Sequence, residues 1–118
     1  MTQWRPTELA AIGTVGEIEI TPLDEGNPSR AATPIWIVRH DNLYIRSYRG
    51  AARRWYRAAR RSGHARIRAA GIERDLTLTP HDGDRAAIDD AYRGKYGQSV
   101  DAKVADAAAA TTLKLAPH

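Results

Sequence analysis

From Thr33 to Arg68 the chain reads TPIWIVRHDNLYIRSYRGAARRWYRAARRSGHARIR. Apolar residues alternate, the alternation stops at Gly50, a helical spacing follows, and alternation returns at His64. Strict alternation places successive side chains on opposite faces of a strand, whereas recurrence at three and four residues marks one face of a helix. The stretch therefore predicts strand, tight turn, strand, glycine corner, short basic helix and strand. Thr33 to Val38 is apolar on both faces, with Ile35 and Ile37 on one side and Trp36 and Val38 on the other, as in a strand covered from both sides. Pro34 is confined to its start. Asp41-Asn42 tolerates positive φ and suits a tight turn. Leu43 to Tyr48 returns antiparallel, with Leu43, Ile45 and Ser47 opposed to Tyr44, Arg46 and Tyr48.

The flanks follow the same rules. Thr7 to Ile12 reads as a short helix capped by Thr7 and stopped by Gly13, burying Leu9 and Ile12. Glu17 to Leu23 is a half-buried strand in which Pro22 suggests an edge or an end. Asp24 to Ala32 is turn-forming throughout and reads as a loop long enough to reach over something. Arg53 to Arg61 is a helix ended by Ser62-Gly63, with Trp55, Ala58, Ala59 and Ser62 on one face. His64 to Ala69, a turn at Ala70-Gly71, and Ile72 to Thr79 follow, with Arg74 the exception on an apolar side. Asp84 to Tyr96 is helical, with Ile88, Ala91, Tyr92 and Tyr96 in one stripe, and Ser99 can cap a further helix through Ala110. Thr111 to Leu115 is a candidate final strand. The expectation is one α+β domain, residues 1–118, with five or six short antiparallel strands forming a small barrel or sheet.

The charge is unevenly placed. The net charge is +4, and nine of the fifteen arginines lie between Arg46 and Arg68, interleaved with Tyr48, Trp55 and Tyr56. Arginine offers a planar fork that binds phosphate bidentately and stacks on rings. The absence of cysteine removes disulfides, thiolate catalysis and cysteine-ligated metals. No metal site is expected, because the four histidines are scattered. Ser47 lacks a nucleophile elbow, Asp89-Asp90 are neighbours that do not face each other, and no glycine-rich dinucleotide or triphosphate loop occurs. No apolar run reaches bilayer length and the first residues carry no secretory pattern, so a cytoplasmic protein with no membrane partner is expected.

What remains is Arg46-Ser47-Tyr48-Arg49-Gly50 at a strand end, then Arg53-Arg54-Trp55-Tyr56. A hydroxyl, arginines, glycine and the N–H groups of a helix start give a phosphate several donors at once, and the aromatics can flank a planar ring. The same residues also read as core packing and a solvated helix face.

The order TPIWIV, turn, LYIRSYRG, RRWY and GHARIR resembles the small split-barrel proteins that bind flavin or deazaflavin coenzymes, and looks closest to the deazaflavin-dependent nitroreductase-like branch, including an uncharacterised bacterial group. The resemblance covers roughly Glu17 to Thr79. It implies a split antiparallel barrel with a coenzyme groove at its rim, often completed across a homodimer. It places Ser47, Arg49 and Gly50 on the coenzyme, and the strand-end and helix-start reading adds Arg46, Arg53 and Arg54 beside them. It places Arg30 near a phosphate or tail, Trp55 in the pocket wall, and Thr33 and Pro34 beside the ring. Relatives have a Gly- and Lys-rich turn before the T-P strand, where this chain has EGNPSRAA. Tyr92 and Tyr96, one helical turn apart on a shared face, would either line the substrate side or pack into the core.

The implied activity is a flavin- or deazaflavin-dependent reduction of nitro, quinone or enone substrates, with FMN or a deazaflavin as cofactor. A non-catalytic flavin or haem carrier is the alternative, with His40 or His64 as axial ligand. Nucleic-acid binding by the basic helix is a third reading. It is disfavoured because the aromatics fall on the buried side of the helix rather than among the arginines.

Overall fold

A computed structural model of the chain describes residues 4–24, 27–28, 31–47, 50, 52–97 and 106–117. Among the described residues four helices, α1 (Pro6–Thr14), α2 (Arg54–Ser62), α3 (Arg85–Tyr96) and α4 (Asp106–Ala109), accompany eight strands. The strands are β1 (Ile18–Asp24), β2 (Asn27–Pro28), β3 (Thr33–Ile35), β4 (Val38–His40), β5 (Asn42–Ile45), β6 (His64–Ala69), β7 (Ile72–Pro80) and β8 (Leu113–Pro117). All pairings among them are antiparallel, in the order β2-β1-β6-β7-β8-β5-β4, with β3 also on β1. The α+β class is as expected from the sequence. The strand count is higher because the Thr33 run is broken at Trp36-Ile37 and a two-residue strand forms within the 24–32 loop.

That break defines the architecture. β3 pairs with β1 and β4 pairs with β5, so one interrupted strand joins the two ends of the sheet and closes it into a split barrel. Between the halves, Ile37 has no ladder partner, and α3 supplies one. The Tyr96 hydroxyl accepts from the Ile37 N–H (3.1 Å) and donates to the Gly16 carbonyl (2.8 Å). Lys95 Nζ donates to the carbonyls of Ile37 (2.6 Å) and Gly13 (3.0 Å). Buried backbone groups must be paired, and two side chains perform here what a neighbouring strand performs elsewhere.

Alternation then sorts the side chains. Ile18, Ile20, Ile35, Ile37, Leu43, Ile45, Ile67, Leu76, Leu113 and Leu115 fill the barrel interior, joined by Ile12 of α1 and by Trp55, Tyr56 and Ala59 of α2. Each such aliphatic side chain stabilises the fold by about 1.5–3 kcal/mol on burial. The opposite face of β4 and β5 presents Val38 and Tyr44 to Ile88 and Tyr92 of α3, flanked by Trp36, Ala91 and Tyr96. Ile35 to Val38 is thus covered on both sides, as the composition predicts, while Pro34 at the start of the run is exposed.

Several details depart from the sequence reading for local reasons. α1 begins at Pro6, whose missing N–H is harmless at a first position, and Arg5 N–H donates to the Glu8 carboxylate (3.0 Å) in place of a Thr7 cap. Pro22 sits inside β1. The pairing edge of β1 passes from β3, opposite Ile18 to Ile20, to β2, opposite Leu23 and Asp24, and Pro22, which has no N–H to donate, falls at that change of partner. The tail strand, β8, starts two residues later than the expected Thr111, and it lies between β7 and β5. Of the helix expected over 99–110, residues 106–110 are described, and Asp106–Ala109 is helical. Arg74 faces inward and ion-pairs with Glu8, with its guanidinium 5.8 Å from the Trp4 ring centroid. Trp4 itself donates from Nε1 to the Leu115 carbonyl (2.9 Å), pinning the N-terminal arm to the barrel.

Two outcomes follow from these contacts. Tyr96→Phe leaves the Ile37 N–H without its acceptor and should lower stability by about 1–3 kcal/mol in urea denaturation, with faster amide exchange at Ile37. The Glu8 carboxyl is held below its ordinary value of 4.5, first by the Arg5 N–H and also by Arg74. A depressed carboxylate contributes stability that is complete above the unfolded value and vanishes as pH falls through the folded one. The Tm difference between wild type and Glu8→Gln should therefore be widest near neutrality and close below about pH 4.

Candidate functional site

The β5–α2 junction is organised by Arg46. Its side chain turns inward and is only 1% exposed. Nη1 donates to Asp89 Oδ1 of α3 (2.5 Å), Nε donates to Thr112 Oγ1 (2.9 Å), and the guanidinium lies 5.3 Å from the Tyr92 ring centroid. Arg85 reaches the other Asp89 oxygen (3.6 Å) and also Asp106 (2.7 Å). The network ties the end of β5 to α3, α4 and the start of β8.

Ser47 and Gly50 form a self-contained turn. The Gly50 N–H donates to the Ser47 carbonyl (2.9 Å), and Ser47 Oγ donates to the Gly50 carbonyl (2.6 Å). The Ser47 N–H donates to Thr111 Oγ1 (2.8 Å). Gly50 has φ +82°, where a side chain would be strained. Trp55 is buried with its ring edge-on to Tyr56 (5.8 Å), inside the barrel core. Arg53 and Arg54, by contrast, stand at the start of α2 with no ion pair among the described residues. Arg49 and Arg30 lie outside the described residues.

A separate groove of about 190 Å³ lies on the outer face of β1, β6 and β7, lined by Glu19, Thr21, Pro28, Ala32, Arg66, Ile67, Arg68 and Glu73. Register builds its floor. Glu19, Arg68 and Glu73 are directly opposite one another across three strands, and Thr21, Arg66 and Asp75 form the next row. Arg66 pairs with Asp75 (2.7 Å) and Arg68 with Glu73 (3.1 Å), so each arginine of the floor faces a carboxylate, and Glu19 adds a further acid to the first row. The hydrogen bond from Arg66 to Asp75 raises the guanidinium further above its ordinary range. Pro28 and Ala32 come from the 24–32 stretch, and Pro34 faces Glu19 across β3–β1. Thr33 and Pro34 thus stand on the strand bordering this groove, while Arg46, Ser47, Gly50 and Trp55 are not among its lining residues.

Sequence reasoning missed Glu19, Thr21, Arg66, Arg68 and Glu73. The available signal was their place on the polar side of three alternating strands, and only the register shows that those sides meet.

Tyr92 and Tyr96 both belong to the contact between barrel and α3. Tyr92 is fully buried, and burial pushes its hydroxyl well above the ordinary phenol range. Tyr96 stacks flat on Trp36 (centroids 4.1 Å, 5° between planes), and burial raises its hydroxyl too. Neither lines the groove.

Residues 8–115 match the model of a family described as uncharacterized proteins conserved in bacteria (DUF2255), and the chain belongs to that family. No curated protein matches the sequence. Among solved structures, a candidate pyridoxamine 5′-phosphate oxidase from Listeria innocua superposes with a TM-score of 0.61 at 13% identity, over 93% of this chain and 88% of that one. An FAD-binding protein from Mesorhizobium loti gives 0.54 at 16% identity, over 99% and 90%. An FAD and heme binding protein from Mycobacterium smegmatis gives 0.52 at 18% identity, over 98% of this chain and 66% of that one. At these identities the likeness is one of fold.

The buried pair has a measurable signature. Asp89→Ala leaves the Arg46 guanidinium without its carboxylate in the interior and should destabilise by about 3–5 kcal/mol. The double variant Arg46→Met/Asp89→Leu should recover most of that loss, because two apolar groups need no partner. Denaturant midpoints for the three proteins decide it, and a double variant no better than the single would point to a role beyond charge neutralisation.

Proposed function

We propose that this family member is a split-barrel domain that holds a flavin-type coenzyme, FMN or a deazaflavin, and serves as an oxidoreductase toward nitro, quinone or enone compounds. The observation that supports it most directly is the groove: in a fold shared with two FAD-binding proteins, the stretch before the T-P strand supplies Pro28 and Ala32 to a cleft over β1, β6 and β7. Loop-bordered clefts with a few placed polar groups are where small ligands bind.

The residues fit such a group in part. Thr21, Pro28, Ala32, Thr33 and Pro34 offer the apolar and hydroxyl border that a planar ring needs. The arginines of the groove already face carboxylates, so they suit the neutral edge of a ring better than a phosphate. Arg53 and Arg54 are exposed or half-exposed at a helix start with no acidic residue in its first turn, and they are the natural holders of an anionic tail, together with Arg49 and Arg30. Arg46, Ser47 and Gly50 position that helix start. The coenzyme, when bound, supplies the hydride chemistry. A second copy of the chain, in a homodimer, would enlarge a cleft that is small for a complete coenzyme.

A carrier without turnover is the second reading. It is favoured by the pairing of Arg66 and Arg68 with carboxylates, which leaves the groove without a cationic side chain poised over a substrate. Within that reading haem is the weaker ligand, since neither His40 nor His64 lines the groove and His64 Nδ1 is engaged with the Ser62 carbonyl (3.0 Å).

Fluorescence titration separates the outcomes. FMN, FAD or a deazaflavin should bind at sub-millimolar concentration. Arg53→Ala/Arg54→Ala should weaken binding by at least about tenfold, the loss expected when charge-assisted bonds to a phosphate are removed. Binding without turnover on a nitro and quinone panel, with reductant present, selects the carrier. If none of the three coenzymes binds, the proposal is abandoned.

A further inference from the structure

Apart from Arg5 before α1 and Arg39 on β4, which make no ion pair among the described residues, the described arginines of this chain fall into two populations. Arg46, Arg66, Arg68, Arg74, Arg85 and Arg93 each make an ion pair with a named carboxylate. Arg53, Arg54, Arg57, Arg60 and Arg61 make none among the described residues, although all belong to α2 or its N-cap. At 3.6 residues per turn, these five side chains project within an arc of roughly 120° along about 12 Å of helix. The opposite side carries Trp55, Tyr56, Ala58 and Ala59 into the barrel, so the orientation of the cationic face is fixed by core packing. Without these five charges a chain of net charge +4 would be close to neutral, so the positive field is local to this face.

The helix start adds a second, independent sign. Among the described residues α2 has no capping side chain, and it has no acid in its first turn, yet Arg53 and Arg54 stand there, where the helix dipole disfavours cations. An external anion relieves both the unpaired N–H groups and the like charges.

We propose that the outer face of α2 binds the phosphate backbone of a nucleic acid, without reading its sequence. Duplex DNA presents a charge about every 1.7 Å, so roughly seven phosphates fall within the length of this face. The side chains present are those that contact phosphates. Stacking on bases is not part of the contact, because Trp55 and Tyr56 are buried and Arg60 donates to the Tyr56 hydroxyl (3.1 Å). An anionic membrane is the poorer partner. Surface helices hold a bilayer by inserting an apolar face, and the apolar side of α2 is already inside the barrel.

The test is fluorescence anisotropy of a short DNA duplex, with circular dichroism to show that variants are folded. With five phosphates neutralised, affinity should fall about 500-fold between 50 and 200 mM salt. Arg57→Gln/Arg60→Gln/Arg61→Gln changes exposed side chains only, and its affinity should fall just about 12-fold over the same range. Because Arg53 and Arg54 remain, coenzyme titration of the triple variant should match wild type, which keeps this proposal separable from the previous one. The idea is overturned if the wild-type protein does not bind the duplex at low salt, if the triple variant matches wild type in affinity and salt slope, or if phosphatidylserine vesicles hold the protein while the duplex does not.

Discussion

The barrel depends on what happens to the backbone of one residue. A strand that changes partners leaves at least one N–H and one C=O without a ladder, and Ile37 is that residue. It is fully buried, so solvent cannot serve it. Leaving either group unsatisfied costs about 1–3 kcal/mol, a large share of a small domain's stability. Tyr96 and Lys95 meet the requirement from the last turn of α3, and this obliges α3 to lie against β4 and β5. The cluster of Val38, Tyr44, Ile88 and Tyr92 and the buried pair of Arg46 and Asp89 then hold α3 at that position. Burial of the Lys95 ammonium lowers its pKa, so its bonds to the Ile37 and Gly13 carbonyls are made against a cost in solvation.

Much of this was legible because alternation is a local property. Ile35 and Ile37 against Trp36 and Val38 announced a strand covered on both sides, and the stripe Ile88, Tyr92, Tyr96 announced the helix that covers one of them. The Ala70-Gly71 turn, with φ of 52° and 76°, and Gly63 at the end of α2 followed from the same local chemistry. What escaped is non-local. The seam at Trp36-Ile37 has no signature of its own, since an unbroken strand would carry the same residues. It becomes visible only once β3 is seen on β1 and β4 on β5. Arg74 looked like an error of pattern and is an inward ion pair with a helix at the other end of the alphabet of elements.

The site shows the same division. Arg46 to Trp55 was rightly singled out as unusual, but spacing does not reveal which way a guanidinium turns. Arg46 faces Asp89, forty-three residues away in sequence, and Ser47 and Gly50 satisfy one another across a turn. The groove residues Glu19, Arg66, Arg68 and Glu73 each appeared as an ordinary polar position on a half-buried strand. Their juxtaposition is a property of register, and a shift of one residue in β1 or β7 would have sent them to the opposite face.

Two surfaces of contrasting electrostatics result from one core. On the sheet, cross-strand rows place arginine directly opposite glutamate or aspartate, which leaves neither groove arginine without a carboxylate and makes the groove suited to a ring with polar edges. On α2, five arginines share a face with no carboxylate, which suits a partner carrying several negative charges. The separation is enforced by packing. Trp55 and Tyr56 commit one side of α2 to the interior that Ile20 and Ile67 line from the sheet, so the arginines must point away from that interior. Rotating α2 to bring its charges toward the core would expose two aromatic rings and bury cations without partners, and both changes oppose folding. The positive face is therefore as fixed a part of the fold as the barrel itself.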